Sequence, residues 1–384
     1  MIYLDHNATT PVHPRVFDAM VPYLRERFGN ASSFYRLGRS ARKALEESRA
    51  RVAGCIHADP REIIFTGSGT ESDNLAVRGP VLALREKGNH VITSAVEHHA
   101  VLKTCESLEK EGCRVTYLPV DSGGRVDPDD VRKSITPQTV LVSIMYANNE
   151  TGVIQPVAEI GAIAREQGVL FHTDAVQAAG KIPIDAGELH ADLLSVSAHK
   201  MYGPKGVGAL FVRQGTPLFP QVTGGPHERG LRAGTENIAN IVGLAEAFTL
   251  ASGGLEAAAT RLAQLRDRLE KRILESIGGV RINGVSAPRV PNTSNISFLS
   301  IDGESLLLHL DLKNIYASSG SACTTGSAAP SAVLLAMGVA AREAQGAIRF
   351  SLGAENSEQD IDATVAALQE ATQRLRSISS IRDE

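Results

Sequence analysis

The sequence predicts an α/β fold from three observations. Short β-branched runs alternate with helical patterns through the first two thirds of the chain, the texture of βαβ units. The runs carry Val, Ile and Leu at successive positions, which suits a sheet covered by helices on both faces. Polar motifs follow the ends of these runs, where open α/β sheets bind ligands. In chain order the candidate strands are 62–66, 90–93, 114–119, 140–145, 169–173, 193–197 and 208–212. Amphipathic stretches at 70–78, 101–111 and 157–167 supply the crossover helices. After about residue 251 the texture changes to a long charged helical pattern at 253–277. Shorter elements follow at 293–299, 303–312, 315–318 and 347–352, with a terminal helix from Ser357. This is a smaller α+β unit, and Ala251-Ser-Gly-Gly254 is the expected linker.

A chain of 384 residues has room for two or three domains. With 43% hydrophobic and 21% charged residues it has an ordinary globular composition. A net charge of -4 gives no electrostatic reason to expect nucleic acid or an anionic membrane as partner. Trp is absent and aromatics make up 4%, leaving little to stack on bases. No apolar run approaches a membrane span. The start, Met1-Ile-Tyr-Leu-Asp, does not read as a secretory signal, so a cytoplasmic location is expected. The four cysteines, Cys55, Cys105, Cys113 and Cys323, lack metal-ligand spacing, and no metal is expected.

The chemistry concentrates at a few places. Ser195-Val-Ser-Ala-His-Lys200 delivers a lysine from an apolar strand. Partial desolvation there makes a neutral amine accessible, able to form a Schiff base with a carbonyl. Upstream, Asp174 offers the carboxylate that a pyridinium nitrogen needs, and lysine plus carboxylate is the minimal equipment for pyridoxal phosphate chemistry. Gly67-Ser-Gly69-Thr70 follows a strand and opens a helix, so backbone amides and the Thr70 hydroxyl can meet a phosphate, or simply cap the helix. One imidazole of Glu97-His98-His99 can stack on an aromatic cofactor and shuttle protons. Asn148 and Asn149 either bind a phenolic oxygen or carboxylate or form an Asn-rich turn. Cys323 sits in a run of small residues, Ala317 to Pro330, the surroundings of a usable thiol rather than a core cysteine. Arg349, inside an apolar strand, needs an anionic partner: a substrate carboxylate or an internal salt bridge.

Together these motifs resemble cysteine desulfurases of the NifS/IscS type, in the class V aminotransferase branch of fold type I pyridoxal phosphate enzymes. The likeness spans nearly the whole chain. It runs through Leu4-Asp-His-Asn-Ala-Thr-Thr, Gly69-Thr-Glu-Ser-Asp-Asn, Glu97-His98 and Ala147-Asn-Asn-Glu-Thr-Gly. It continues through His172-Thr-Asp-Ala-Val-Gln, Ser197-Ala-His-Lys, Arg232-Ala-Gly-Thr-Glu-Asn, Ser318-Ser-Gly-Ser-Ala-Cys and Arg349-Phe-Ser-Leu. The wording departs at Ala31, Tyr35, Gly67, Ser68, Thr325, Ala328 and Ala329, none of which carries an assigned group.

The resemblance implies a mainly parallel seven-stranded sheet with helices on both faces. It also implies an N-terminal segment (1–13) packing with the small domain, a large cofactor-binding domain (14–254) and a small domain (255–384) bearing the cysteine loop. Lys200 would carry the cofactor, Asp174 bond its ring nitrogen, His98 stack on the ring and Gln177 meet the phenolic oxygen. Gly69, Thr70, Ser197 and His199 would hold the phosphate, with Thr235 reaching it from a second subunit of a homodimer. Asn149 and Arg349 would bind the substrate carboxylate, with Asn149 also beside the cofactor, and Cys323 would take the sulfur of L-cysteine as a persulfide. An acceptor protein, such as an iron–sulfur scaffold, would collect it. A selenocysteine lyase, another fold type I enzyme such as an aminotransferase, and a non-catalytic sulfur-transfer scaffold are the alternative readings.

Overall fold

The computed structural model describes residues 1–319 and 330–378. Among these the strands are β1 (Ile2–Tyr3), β2 (Ile63–Thr66), β3 (His90–Ser94), β4 (Arg114–Leu118), β5 (Thr139–Ser143), β6 (Leu170–Asp174) and β7 (Leu193–Ser197). They continue with β8 (Gly208–Val212), β9 (Val280–Asn283), β10 (Thr293–Phe298), β11 (Ile315–Tyr316), β12 (Ser318–Ser319) and β13 (Ala347–Ser351). A seven-stranded sheet has the order β2-β8-β7-β6-β5-β3-β4. Its pairs are parallel except those of β8, which runs antiparallel to β2 and β7. The mainly parallel sheet expected from sequence is present.

Alternation along the strands sends side chains to two separate cores. Ile63, Phe65, Leu194 and Val196 belong to one, while Ile64, Leu193 and Leu210 belong to the other. Helices on both faces close them: Arg36–Gly54 buries Ala41, Leu45 and Val52 on the first side. Gly69–Ala83 and His99–Lys110 bury Leu75, Val77, Val101 and Leu108 on the second. His90, buried in β3, is satisfied by the hydroxyls of Thr139 (2.8 Å) and Thr116 (2.9 Å).

A second, antiparallel sheet, β12-β13-β10-β9, has its own core. There Ile296, Phe298 and Phe350 meet Leu269 and Ile273 of helix Leu255–Ser276 and Ile361 and Leu368 of helix Glu358–Ile378. The N-terminal segment joins this unit: β1 pairs in parallel with β11, and Leu4 lies in the core of the small sheet. The expected linker at 251–254 takes a different form. Helix Ile238–Gly253 continues through Ala251 and meets helix Leu255–Ser276 at a 74° bend. The apolar run ending in Phe248 keeps the chain helical as far as Gly253, and Gly254 turns the corner. β9 and the helices Pro14–Arg25 and Arg36–Gly54 are additions that the sequence patterns did not single out. Among the described residues no single helix is long and apolar enough to cross a membrane.

Candidate active site

Segments following the carboxyl ends of β2, β3, β5, β6 and β7 converge on a cavity of about 390 Å³. Its lining includes Gly69, Thr70, His98, Asn149, Asp174, Gln177, Ser197, His199, Lys200 and Arg349. Sequence positions far apart are thus gathered in one place by the parallel order of the strands. Two expected site residues are not among them. Thr235 is exposed and does not line this cavity, and Cys323 lies outside the described residues.

Lys200 is half-buried, and its Nζ donates to the carbonyls of Asn7 (2.6 Å) and Ala8 (2.7 Å). Two carbonyls hold the amine at a fixed point on the cavity wall. Asp174 ends β6 and is 5% exposed, and its Oδ1 accepts from the Val176 backbone N–H at 2.9 Å. Burial pushes its carboxyl up to about 6, against the opposing pull of that N–H and of Lys200. A buried carboxylate short of donors is well suited to accept from a protonated ring nitrogen.

His98 caps helix His99–Lys110: its Nδ1 accepts from the Ala100 N–H at 3.1 Å. The neutral ring therefore carries its proton on Nε2. Burial holds its pKa down at about 4, helped by Lys200 and His99. His199 is also pushed down to about 4 by burial, and its Nδ1 lies 3.2 Å from Thr9 Oγ1.

At the other end of the cavity the helix Gly69–Ala83 begins. Ser68 caps it by accepting from Glu71 N at 3.1 Å, and Glu71 in turn accepts from Gly67 N (2.8 Å) and Arg232 Nε (2.7 Å). A Cβ at Gly69 would stand 2.9 Å from Val176 Cγ2 and 3.2 Å from Ser197 Cβ, so only glycine allows this approach. Ser197 Oγ is buried without a hydrogen-bond partner, an unmet demand in the cavity wall.

Arg349 settles a choice that the sequence left open, because the internal salt bridge exists: its Nη2 donates to Asp5 Oδ1 at 2.6 Å. Nη1 donates to the Asn149 carbonyl at 3.0 Å, while Nε is buried and unpaired. Asn148 makes the turn, its Oδ1 accepting from the N–H groups of Glu150 and Thr151 at 2.9 Å each. Asn149 borders the cavity. Gln177 is buried and donates through Nε2 to the Asn7 carbonyl at 3.0 Å.

Sequence reasoning gave no role to Asp5, Asn7, Ala8, Asp73 or Lys181. Asn7 is the hub of the group. It holds Lys200 and Gln177 through its carbonyl, donates to Thr293 Oγ1 (2.9 Å), and accepts from Lys181 Nζ at 2.9 Å. Burial drives Lys181 well below the ordinary lysine range, with Lys200 and Arg349 adding to the effect. No periodicity marks these residues; pairing of β1 with β11 brings the N-terminus to the cavity.

The donor set fits a phosphorylated pyridine aldehyde. An amine stands at one side, a buried carboxylate faces a neutral imidazole, and an unpartnered hydroxyl lies beside a helix start with no Cβ at Gly69. Comparison with known proteins agrees with this reading. A family model described as aminotransferase class-V matches residues 2–364. A protein named cysteine desulfurase IscS from Dictyoglomus turgidum is 49% identical over 383 residues, covering 100% of this chain and 97% of its own. A solved NifS-like protein superposes with a TM-score of 0.92 at 39% identity, covering 97% of this chain and 100% of its own. A structure titled SspA in complex with cysteine has a TM-score of 0.82 at 36% identity, covering 92% and 99%.

Proposed function

The chain belongs to the class V aminotransferase family, and from that premise we propose that it is a pyridoxal-phosphate-dependent cysteine desulfurase. It converts L-cysteine to L-alanine and passes the sulfur on, in iron–sulfur cluster assembly or another sulfur transfer. The observation that carries the reading is the single cavity uniting Lys200, Asp174, His98, Ser197 and Arg349. Pyridoxal phosphate, when bound, supplies the electron sink for bond breaking at the substrate carbon.

The chain's own groups do the rest. Lys200 would hold the cofactor through Nζ, and the same amine, when free, would move the proton at the substrate Cα. Asp174 holds the proton of the ring nitrogen. His98, neutral and protonated on Nε2, packs against the ring. Gln177 serves the phenolic oxygen. Gly69, Thr70, Ser197 and His199 take the phosphate, and the orphaned Ser197 Oγ supports that role. Asn149 and Arg349 take the substrate carboxylate, which would occupy the unpaired Nε of Arg349. The Cys323 thiolate attacks the substrate sulfur. The S–S bond forms as the C–S bond breaks, and the electron pair left on carbon takes a proton to give alanine.

The small sheet's own core, separate from the cores of the large sheet, and the bend at Gly254 support a large unit over 14–254 and a small one over 255–384, with residues 1–13 attached to the latter. A second copy of the chain completes the site through Thr235. In support, Thr235 is exposed, and Phe17, Leu24, Phe28, Phe34 and Tyr35 expose 57% to 94% of their surface. Incubation with sulfur-labelled cysteine followed by peptide mass spectrometry tests the reading. The label should appear as a persulfide on Cys323, with one alanine released per sulfur transferred. Alanine release that persists in Cys323→Ala would point instead to a lyase.

A further inference from the structure

Beside Asp174 lies a second carboxyl that the chemistry above leaves unused. Asp73, on helix Gly69–Ala83, is 1% exposed, and its Oδ1 has no hydrogen-bond partner. That oxygen is 3.7 Å from Nε2 of His172. Ligand-capable atoms of Asp73, His98 and Asp174 all lie within 4.8 Å of one another. Two carboxylates so close, in a buried place, cannot both ionise.

The neighbours decide which one carries the charge. His172, on β6, offers no compensating cation: Nδ1 is 2.8 Å from Ser143 Oγ, Nε2 is 3.0 Å from Ser195 Oγ, and burial holds its pKa at about 3. His98, ahead of its helix, is neutral for the same reason. Glu97 adds another buried acid nearby. Asp174 has a backbone N–H at 2.9 Å and the field of Lys200 on its side. Asp73 Oδ1 has neither, and burial, then Asp174, drives its carboxyl well above the usual range against the opposing pull of the Ser195 hydroxyl.

We propose that Asp73 is a positioning residue for the cofactor ring, a carboxylic acid kept neutral beside Asp174 so that a single charge faces the ring nitrogen. The inference rests on the pyridoxal phosphate reading of the cavity, although the neutral acid is a property of the chain itself. In this form Asp73 supplies one O–H donor and an acceptor oxygen, the same inventory as a primary amide apart from one hydrogen. A second anion there would instead raise the proton affinity of every base in the cavity, Lys200 included.

Infrared difference spectra and visible titrations of wild type and Asp73→Asn, using the full chain with and without pyridoxal phosphate, test the proposal. Near neutral pH the wild type should show the C=O stretch of buried carboxylic acid, and Asp73→Asn should lose one component of it. The components of Glu97 and Glu150, also buried acids, should remain. In the loaded protein the pH midpoint of the visible cofactor band should stay in place, because the amide reproduces the neutral acid. An acid band unchanged by the substitution, or a midpoint that falls by about one pH unit, shows Asp73 to be ionised and overturns the proposal. If Asp73→Asn does not fold, Asp73→Ser gives the infrared reading. Absence of any visible band in the loaded wild type would sink the cofactor reading, while the infrared result on the unloaded chain would still judge Asp73.

Discussion

Arg349 presents a planar fork whose position is set before any substrate arrives, by Asp5 at 2.6 Å and the Asn149 carbonyl at 3.0 Å. A lysine ammonium cannot reproduce that fork. Arg349→Lys should raise KM for cysteine about tenfold or more, or ~1.4 kcal/mol, with the visible cofactor band unchanged; an unaltered KM would remove Arg349 from substrate binding. Glu97 is a buried acid of another kind, accepting from Ser94 Oγ (2.6 Å) and Met145 N (3.0 Å), with burial raising its pKa from 4.5 to about 8. Between those values the native state keeps a proton that the unfolded chain releases, so the contribution of Glu97 to stability is lost as the pH rises. Glu97→Gln removes this penalty. Its stability relative to wild type should climb from about pH 5 to about pH 8, by at most ~1.4 kcal/mol per pH unit. Urea unfolding at both pH values reads the slope, and a difference that shrinks with rising pH would show the opposite protonation.

At the scale of elements, function depends on where strands end and helices begin. Gly69→Ala should loosen cofactor binding several-fold, because its new methyl meets Val176 Cγ2 at 2.9 Å and Ser197 Cβ at 3.2 Å. Equilibrium dialysis of the cofactor measures this, and unchanged retention would mean that the helix start does not border the phosphate. Gly353, just past β13, abuts the buried His6, and a Cβ there would lie 2.0 Å from its Nε2. Gly353→Ala should therefore cost about 1–3 kcal/mol in unfolding experiments. The strands of the large sheet were legible because Val, Ile and Leu fill both faces, and β7 and β8 match their expected bounds. β9 was not, since Val-Arg-Ile-Asn is only four residues long between glycines and its apolar positions are only half-buried. Residues such as Lys200, Asp174 and Ser197 were readable because their motifs sit at strand ends. Asp5, Asn7 and Lys181 were not, because tertiary pairing alone gives them partners. Arg349 was half-legible: burial of a cation demanded an anion, but only the fold names Asp5.

Over the whole molecule, the cavity stands between two packed units, with the N-terminal segment bridging them through β1 and Asn7. The segment leading to Thr235 is anchored from below. Glu228 and Arg229 adopt positive φ values of 45° and 59°, and Glu228 takes two bonds from Arg49, at 2.7 and 2.9 Å, and one from Phe65 N at 2.9 Å. Buried pairing of this kind keeps a strained stretch in place. Thr235→Ala should speed cofactor loss on dialysis severalfold while the sedimentation coefficient stays that of wild type; retention equal to wild type would remove Thr235 from the site. The proposed chemistry requires the Lys200 amine to hold the cofactor. Borohydride reduction of the loaded protein, followed by peptide mass spectrometry, tests it most directly. A pyridoxyl phosphate adduct on Lys200, absent from Lys200→Ala, is the predicted result; an adduct on another lysine, or none, would contradict the account.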